Sequence, residues 1–252
     1  MIHTINARYM KKLIVTILIP VCLAIVFTGC SKLSLQKDFD HNPHTLDPKL
    51  YKTAGQFLKD RAAGPEPRDT IFRRMMQGLI YAEIDPAEYE KQGRTFILLH
   101  NEAIYRTTKV SGKDSMQIDC FFGANFVNGK PATKWEDYPK EFVKSYLLYL
   151  IAEGIHDHYT IAEPGRNVTA STLATAGSLA TLPAGITRHV SAPFVPNADS
   201  KIKFKVLNSS PSNTSDYPIM VNDVRNMRTS SLLATNGTVH VIDRFLTTTL
   251  PE

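Results

Sequence analysis

The densest group of metal-binding side chains in the sequence is His156-Asp157-His158. Two histidines two residues apart can share one metal ion when the chain is extended, and the aspartate adds an oxygen ligand. The sequence places no third ligand with them, and Gly154 favours a solvated turn just before the group. We therefore expect a turn rather than a metal site, and a metal-dependent hydrolase remains only a lesser alternative.

Cys120 is the one cysteine beyond residue 30, and it lies in the apolar run Ile118–Phe122. A nucleophilic thiol needs an activating base, and none is indicated, so we expect a buried structural thiol. The sequence also lacks a nucleophile-elbow serine, a phosphate-binding loop, a dinucleotide fingerprint and a paired-histidine zinc motif. It therefore predicts a protein that is not an enzyme and needs no cofactor.

Two aromatic residues, Trp135 and Tyr138, flank the acidic pair Glu136-Asp137. An aromatic face suits the C–H surface of a sugar ring, so both residues are candidate carbohydrate contacts. The alternative is that both rings belong partly to the core. The two carboxylates are interpreted as charges at the N-terminus of a helix rather than as an acid/base pair.

The N-terminus resembles the leader of a bacterial lipoprotein. Lys11 and Lys12 precede an apolar run of 15 residues, Leu13 to Phe27, which is shorter than the ~20 residues that a membrane-spanning helix needs. The run ends in Phe27-Thr28-Gly29-Cys30, an apolar residue and two small residues before a cysteine. We expect cleavage before Cys30 and acyl chains, such as palmitate, on that residue. The alternative is an ordinary secretory signal peptide.

The charge of the chain gives little support to a nucleic-acid partner. The sequence has 252 residues with 29 Lys and Arg against 24 Asp and Glu, a net charge of +5. Three of these cations lie in the leader, which leaves 26 against 24, or +2, for the remainder. A hydrophobic fraction of 43% is that of a globular protein.

Apolar spacing predicts helices first and strands later. Helices are expected to begin at Asp47-Pro48 and at Asp69, with the aspartate as N-cap, and another spans 141–151. Residues 107–117 are predicted to form a loop. Strands are predicted at 95–99, 118–122 and 126–127, and near 170–175, 186–191, 201–207, 217–222 and 238–246. No strand–helix–strand alternation is present, which favours a single α+β domain.

Two Asn-Gly pairs predict tight turns between strands. Asn128-Gly129 and Asn236-Gly237 can both supply the positive φ angles that two-residue hairpin loops require. The second pair belongs to a distinctive C-terminal segment, residues 233–246, which reads LATNGTVHVIDRFL. Its pattern is an Asn-Gly turn, a strand with Val239, Val241 and Asp243, and a closing leucine.

A second pattern lies at residues 95–104, TFILLHNEAI, with Thr95, Asn101 and Ala103 at its fixed positions. The two segments together resemble the fasciclin-type (FAS1) domains of secreted adhesion proteins. The family carries Pro where this chain has Leu99, Phe where it has Ile104, and His where it has Leu150. The resemblance covers roughly residues 47–252.

The resemblance implies a compact wedge of β-strands with helices packed on it. The motif residues are interpreted structurally. We expect Asn101 to bond backbone groups in a turn that leads into a short helix, and Asp243 to satisfy backbone donors near the end of its strand.

These observations divide the chain into a lipoprotein signal peptide (1–29), a tether (30–46) and a fasciclin-like domain (47–252). They predict a binding or adhesion module without catalytic activity, anchored by lipid to the cell envelope, at the outer membrane. Its partner would be a protein or a polysaccharide. The alternative functions are glycan capture as an accessory of an outer-membrane polysaccharide-uptake system and a purely structural envelope role.

Overall fold

The computed structural model describes residues 47–64, 67–161, 163–207 and 218–250. The chain divides into two compact units, Met1–Asp47 and Pro48–Glu252. The predicted signal peptide, Cys30 and the tether lie outside the described residues, and every described helix and strand belongs to the second unit. No helix in the described part is long and apolar enough to cross a membrane.

Short helices and short strands alternate irregularly along the second unit. The α-helices are α1 (Ala54–Asp60), α2 (Arg73–Tyr81), α3 (Asn101–Ile104), α4 (Phe121–Ala124) and α5 (Lys140–Tyr149), and 3-10 turns form at Pro67–Thr70, Pro86–Tyr89 and Trp135–Asp137. The strands are β1 (Arg94–Leu99), β2 (Thr107–Val110), β3 (Lys113–Met116), β4 (Asn125–Val127), β5 (Lys130–Pro131), β6 (Ile151–Glu153), β7 (Asn167–Ser171), β8 (Ile186–Arg188), β9 (Lys201–Val206), β10 (Ile219–Val221), β11 (Arg225–Asn226), β12 (Thr229–Ala234) and β13 (Gly237–Ile242).

The first and last strands lie side by side in the main sheet. β1 runs parallel to β13, with Phe96 opposite Val239, and antiparallel to β6 on its other side. The sheet has the order β12-β13-β1-β6. All residues but the first are buried in both β1 and β13, which is typical of strands whose two faces are both covered.

Three smaller sheets complete the described part. Their orders are β11-β10-β9-β7, β5-β4-β8 and the isolated hairpin β2-β3. Helices and sheets in which most strand pairs are antiparallel share one hydrophobic core, which confirms the predicted α+β class.

Aromatic rings join the helices to the segment that follows β13. The ring of Phe121 has neighbours from the 3-10 turn, from α5 and from the C-terminal segment, at centroid distances of 4.6 to 5.9 Å. These neighbours are Trp135, Tyr138, Phe142, Tyr146 and Phe245. Such pairs contribute about 0.5–1.5 kcal/mol each beyond their buried area, so this cluster holds the C-terminal segment on the helices.

Several predicted elements are confirmed. The strand at 95–99 is β1, and the helix at 141–151 is α5 at Lys140–Tyr149. The hairpin at Asn128-Gly129 joins β4 to β5, with φ angles of 49° and 78° at the two turn residues. The strands predicted after residue 165 also exist, although several are shorter than expected.

Two predictions between residues 107 and 122 are wrong. The predicted loop is the hairpin β2-β3, whose residues are almost all exposed, so no apolar alternation marks its strands. The predicted strand Ile118–Phe122 is instead a turn that leads into α4. Its consecutive apolar residues do not distinguish a buried strand from a buried helical turn.

The predicted helix starts are also wrong at both aspartates. Residues 48–50 extend beside β12, because Leu233 donates its backbone N–H to Pro48 and accepts one from Leu50. Helix α1 therefore begins only at Ala54, with the Thr53 hydroxyl as its cap. The carboxylate of Asp69 caps no helix but pairs with Arg61 at 2.7 Å.

The second Asn-Gly pair forms a hairpin for a different reason from the one predicted. The two-residue loop between β12 and β13 is Thr235-Asn236, and neither Asn236 nor Gly237 has a positive φ. Glycine is needed at 237 because a Cβ there would clash with the carbonyl oxygen of Arg94 on the neighbouring strand. Gly237 thus allows the neighbouring strand to approach closely, and Asn236 contributes hydrogen bonds through its side chain.

Candidate functional site

The segment 156–158 follows β6 and bonds to β12 and β13, on the far side of the same sheet. Both carboxylate oxygens of Asp157 are engaged: Oδ2 accepts from the Thr238 hydroxyl at 2.7 Å, and Oδ1 accepts from the backbone N–H groups of Tyr159 and Thr160 at 2.9 Å. Burial alone would raise the pKa of Asp157, but these hydrogen bonds outweigh it and hold the pKa below its ordinary value. The carboxylate fixes a turn onto β13.

The two histidines of this segment point to different partners. The ring of His156 lies 5.0 Å from that of Phe204 in a stacked arrangement, and its Nε2 lies 2.8 Å from the Glu153 carbonyl oxygen. Nδ1 of His158 lies 2.6 Å from the hydroxyl of Ser231. The described residues contain no group of three or more His, Cys, Asp and Glu side chains arranged to hold a metal ion.

A third histidine, His240, lies in the middle of β13 and is fully buried. Its Nδ1 accepts the backbone N–H of Ser231 at 3.1 Å, so Nε2 carries the proton and donates to the His156 carbonyl oxygen at 2.8 Å. Desolvation lowers the pKa of His240 to about 4, so the ring is neutral at pH 7. His240 was not among the candidate residues predicted from the sequence, although a lone histidine between two valines of a predicted strand is a usable signal.

Ser231 and His158 have the spacing of a nucleophile and its base. Ser231 is only 5% exposed, and its φ of 59° coincides with a bulge in β12. Its hydroxyl oxygen also accepts the backbone N–H of His158 at 3.1 Å. The geometry thus makes Ser231 a support for the bulge, since its enclosed hydroxyl lies out of reach of a substrate.

The residues of the first fasciclin-like pattern brace the loops around β1. The Thr95 hydroxyl donates to the Gly154 carbonyl oxygen at 2.8 Å and accepts from the N–H of His156 at 2.9 Å. Asn101 begins α3, accepts from the Arg74 N–H at 2.9 Å and donates to a carbonyl at 2.7 Å. Its expected backbone bonding is confirmed, but with groups about 30 residues away rather than in its own turn. Ala103 is fully buried.

The residues of the C-terminal pattern also hold backbone segments together or pack in the core. Asn236 is buried; its Oδ1 accepts from the Ala54 N–H at 2.8 Å, and its Nδ2 donates to the carbonyl oxygens of Tyr89 and Lys91 at 2.9 and 3.2 Å. Val239 and Val241 are core residues. Asn236 therefore joins the β12-β13 loop to α1 and to the turn before β1.

Asp243 differs from its expected role. Its carboxylate contacts the guanidinium groups of Arg228 and Arg244 at 3.5 and 3.2 Å, and these ion pairs lie at the surface after β13. It pairs with arginines rather than with the expected backbone donors, because the strand ends one residue earlier than the motif suggests.

Cys120 is buried, and burial raises the pKa of its thiol. The thiol lies 3.0 Å from the Gln117 carbonyl oxygen, to which it can donate. A raised pKa is the opposite of what a nucleophilic thiolate needs. The expected burial of this thiol is confirmed.

Trp135 and Tyr138 lie in the aromatic core, at 3% and 2% exposure. The indole N–H donates to the Arg74 carbonyl oxygen at 2.8 Å, and the phenol donates to the Asn125 carbonyl oxygen at 2.7 Å. Neither ring therefore offers the open face that stacking on a sugar requires. A small part of Trp135 nevertheless reaches the surface, where it lines a cleft.

This cleft, which we call the α2 cleft, lies between helix α2 and the turn that contains Trp135. Its volume is about 340 Å³, and it is open to solvent. Its wall and rim comprise Arg74, Gln77, Ile80, Thr133, Lys134 and Glu136 together with Tyr81, Phe122 and Trp135. A smaller apolar groove of about 70 Å³ lies on the other side of Ile80. Of these two concave surfaces, the α2 cleft has the volume and the polar rim of a ligand site.

Comparison with protein-family models finds no match to this chain, and no curated protein matches it either.

Proposed function

We propose that the chain is a fasciclin-type binding module, held at the cell envelope by lipid on Cys30, which captures a ligand without transforming it. The observation that carries this proposal is the α2 cleft, a concave surface with a polar rim. The fold, the anchor and the ligand are separate parts of the proposal, and each has its own support.

The pairing of the two motif strands supports a fasciclin-type architecture. The first pattern lies on β1 and the C-terminal pattern on β13, which are far apart in sequence yet adjacent in the main sheet over their full length. Thr95 lies directly opposite Thr238. Motifs that define one fold are expected to meet in its core, and a chance match of two short patterns carries no such expectation.

The state of the polar side chains supports a binding role rather than a catalytic one. Asn101 and Asn236 bond to backbone groups, and the carboxylate of Asp157 accepts from backbone N–H groups and from threonine hydroxyls. His240 is fully buried, and its pKa of about 4 makes it a neutral ring and a weak base near pH 7. A general acid or base works best when its pKa lies near the operating pH and when it can reach the substrate.

Binding is tested with the full chain, extracted in detergent and applied to an array of polysaccharides and extracellular-matrix proteins, with calorimetry of each hit. The proposal predicts saturable binding of at least one class of ligand and recovery of that ligand unchanged. Turnover of a bound ligand would contradict the proposal, as would the absence of binding to every ligand class and to envelope proteins of the same cell tested by crosslinking.

A second candidate function is glycan capture for an outer-membrane uptake complex. It is favoured by the α2 cleft, because its volume lies near the lower end of the 300–1,000 Å³ that is usual for small-ligand sites. A specific polysaccharide hit on the array would favour this function, whereas a protein hit without glycan binding would favour adhesion.

The lipid anchor gives a prediction of its own. Cys30→Ala is expected to abolish incorporation of labelled palmitate and to release the protein from the membrane fraction, because the lipid is attached at that thiol and at the amine that cleavage frees. Cys22→Ala, within the apolar run, is the matched control and should label normally. A Cys30→Ala protein that is still lipid-labelled in membranes would refute the anchor.

A further inference from the structure

The α2 cleft carries two cations that have no carboxylate partner. Arg74 and Lys134 both line it, and no carboxylate of the described residues lies within 4 Å of either side chain. The carboxylate of Glu136 also lines the cleft, which leaves a net charge of +1. This arrangement favours an anionic group in the cleft.

Arg74 is held in a way that leaves its hydrogen-bond donors free. Its guanidinium carbon lies over the ring of Tyr105, 4.4 Å from the ring centroid. Such a cation–π contact uses none of the N–H donors, which keep the fork that matches a carboxylate. The Arg74 carbonyl oxygen is bonded to the Trp135 indole at 2.8 Å, which holds the helix against the opposite wall.

The remaining surface of the cleft combines apolar and neutral polar groups. Ile80 is 71% exposed, and the exposed side chains of Gln77 and Thr133 add donors and acceptors. Gly78 sets the width, because a Cβ at that position would lie 2.8 Å from Cε2 of Trp135. A sugar ring presents a matching mixture of C–H surface and hydroxyl groups.

We propose that the α2 cleft binds a carboxylate-bearing saccharide, with Arg74 and Lys134 on the carboxylate and Gln77 and Thr133 on hydroxyl groups. This inference rests on the proposed binding function and adds to it the site and the ligand class. An acidic protein segment is the less favoured occupant, because the two cations and the neutral polar groups lie together in a cleft of about 340 Å³, a volume of the size usual for small-ligand sites.

The test is calorimetry of the full chain in detergent with oligosaccharides of galacturonate, glucuronate and mannuronate, each against its neutral hexose counterpart. Binding of at least one uronate oligosaccharide is expected, with little binding of its neutral counterpart and with affinity that falls as salt is raised. Arg74→Gln should weaken binding about tenfold to a hundredfold, and Arg74→Lys less, because lysine keeps the charge but not the fork.

Arg73→Gln is the matched control, since Arg73 is the same residue type on the same helix, is exposed and does not line the cleft. It should bind as the unmodified chain does, and thermal unfolding should show all variants folded. Uronate binding that Arg74→Gln and Lys134→Gln leave unchanged would overturn the site while the binding function stands. Binding of neutral sugars, of acidic peptides or of matrix proteins alone would overturn the ligand class. The absence of binding to every ligand would overturn both the ligand class and the binding function.

Discussion

Acidification from pH 7 to pH 4 is expected to destabilise the protein by about 3 kcal/mol through His240 alone. The pKa of His240 falls from 6.5 in the unfolded chain to about 4 in the fold. The unfolded state therefore binds more protons between these two values, and each unit of pKa difference is worth about 1.4 kcal/mol. This contribution is complete above pH 6.5 and is lost progressively as the pH falls to about 4.

The pKa of His240 is low because the ring is buried and because its hydrogen bonds fix one neutral tautomer. Desolvation disfavours the imidazolium, and a proton on Nδ1 would face the N–H of Ser231. The His156 carbonyl and the charge of Asp157 favour protonation, whereas His156 and His158 oppose it when charged. The lowered pKa of Asp157 also reduces the stability of the protein on acidification, but only below the ordinary pKa of 3.8.

Urea unfolding monitored by circular dichroism between pH 4 and pH 8 checks this expectation. His240→Gln can keep an acceptor for Ser231 and a donor for His156 without titrating, so its stability should change much less over the interval than that of the unmodified chain. His100→Gln is the matched control: His100 is half-buried with a lowered pKa, and its variant should retain most of the slope. A His240→Gln protein with the same slope as the unmodified chain would contradict the account.

Asn236→Ala is expected to lower the free energy of unfolding by about 3 kcal/mol. The substitution removes the partners of the Ala54 N–H and of the Tyr89 carbonyl, both of which belong to buried residues. An unsatisfied buried polar group costs about 1–3 kcal/mol. Asn236→Asp should be similarly damaging, because it places an oxygen against the Tyr89 carbonyl in place of the donor.

Chemical denaturation measures this loss of stability, and a variant of the neighbouring loop residue serves as the control. Thr235→Ala changes the exposed residue of the same two-residue loop and should alter stability by less than about 0.5 kcal/mol. A loss for Asn236→Ala no larger than that for Thr235→Ala would show that the side chain does not hold the loop to α1.

The central strand β1 could be predicted from the sequence because a strand that is buried on both faces requires a continuous apolar run, as at Phe96–Leu99. The hairpin β2-β3 could not, because its exposed residues carry no such pattern. The extended path of Pro48–Leu50 depends on Leu233 at the other end of the chain. Local propensity favoured a helix there, and long-range pairing overrode it.

The candidate site was less accessible to sequence reasoning. The pattern His156-Asp157-His158 predicted a turn rather than a metal site, but not what the turn bonds to, because Thr238 and Ser231, its partners, lie more than 70 residues later. The α2 cleft likewise depends on the approach of Trp135 to Gly78, for which the sequence has no local signal.

The central claim, that this is a binding module whose ligand occupies the α2 cleft, is tested most directly by one titration. The full chain in detergent is titrated with uronate oligosaccharides beside its Arg74→Gln variant, and the ligand is recovered and weighed by mass spectrometry. The account predicts saturable binding by the unmodified chain, a marked loss in the variant and an unchanged ligand. Equal affinity in both proteins, or a ligand recovered as fragments, would contradict it.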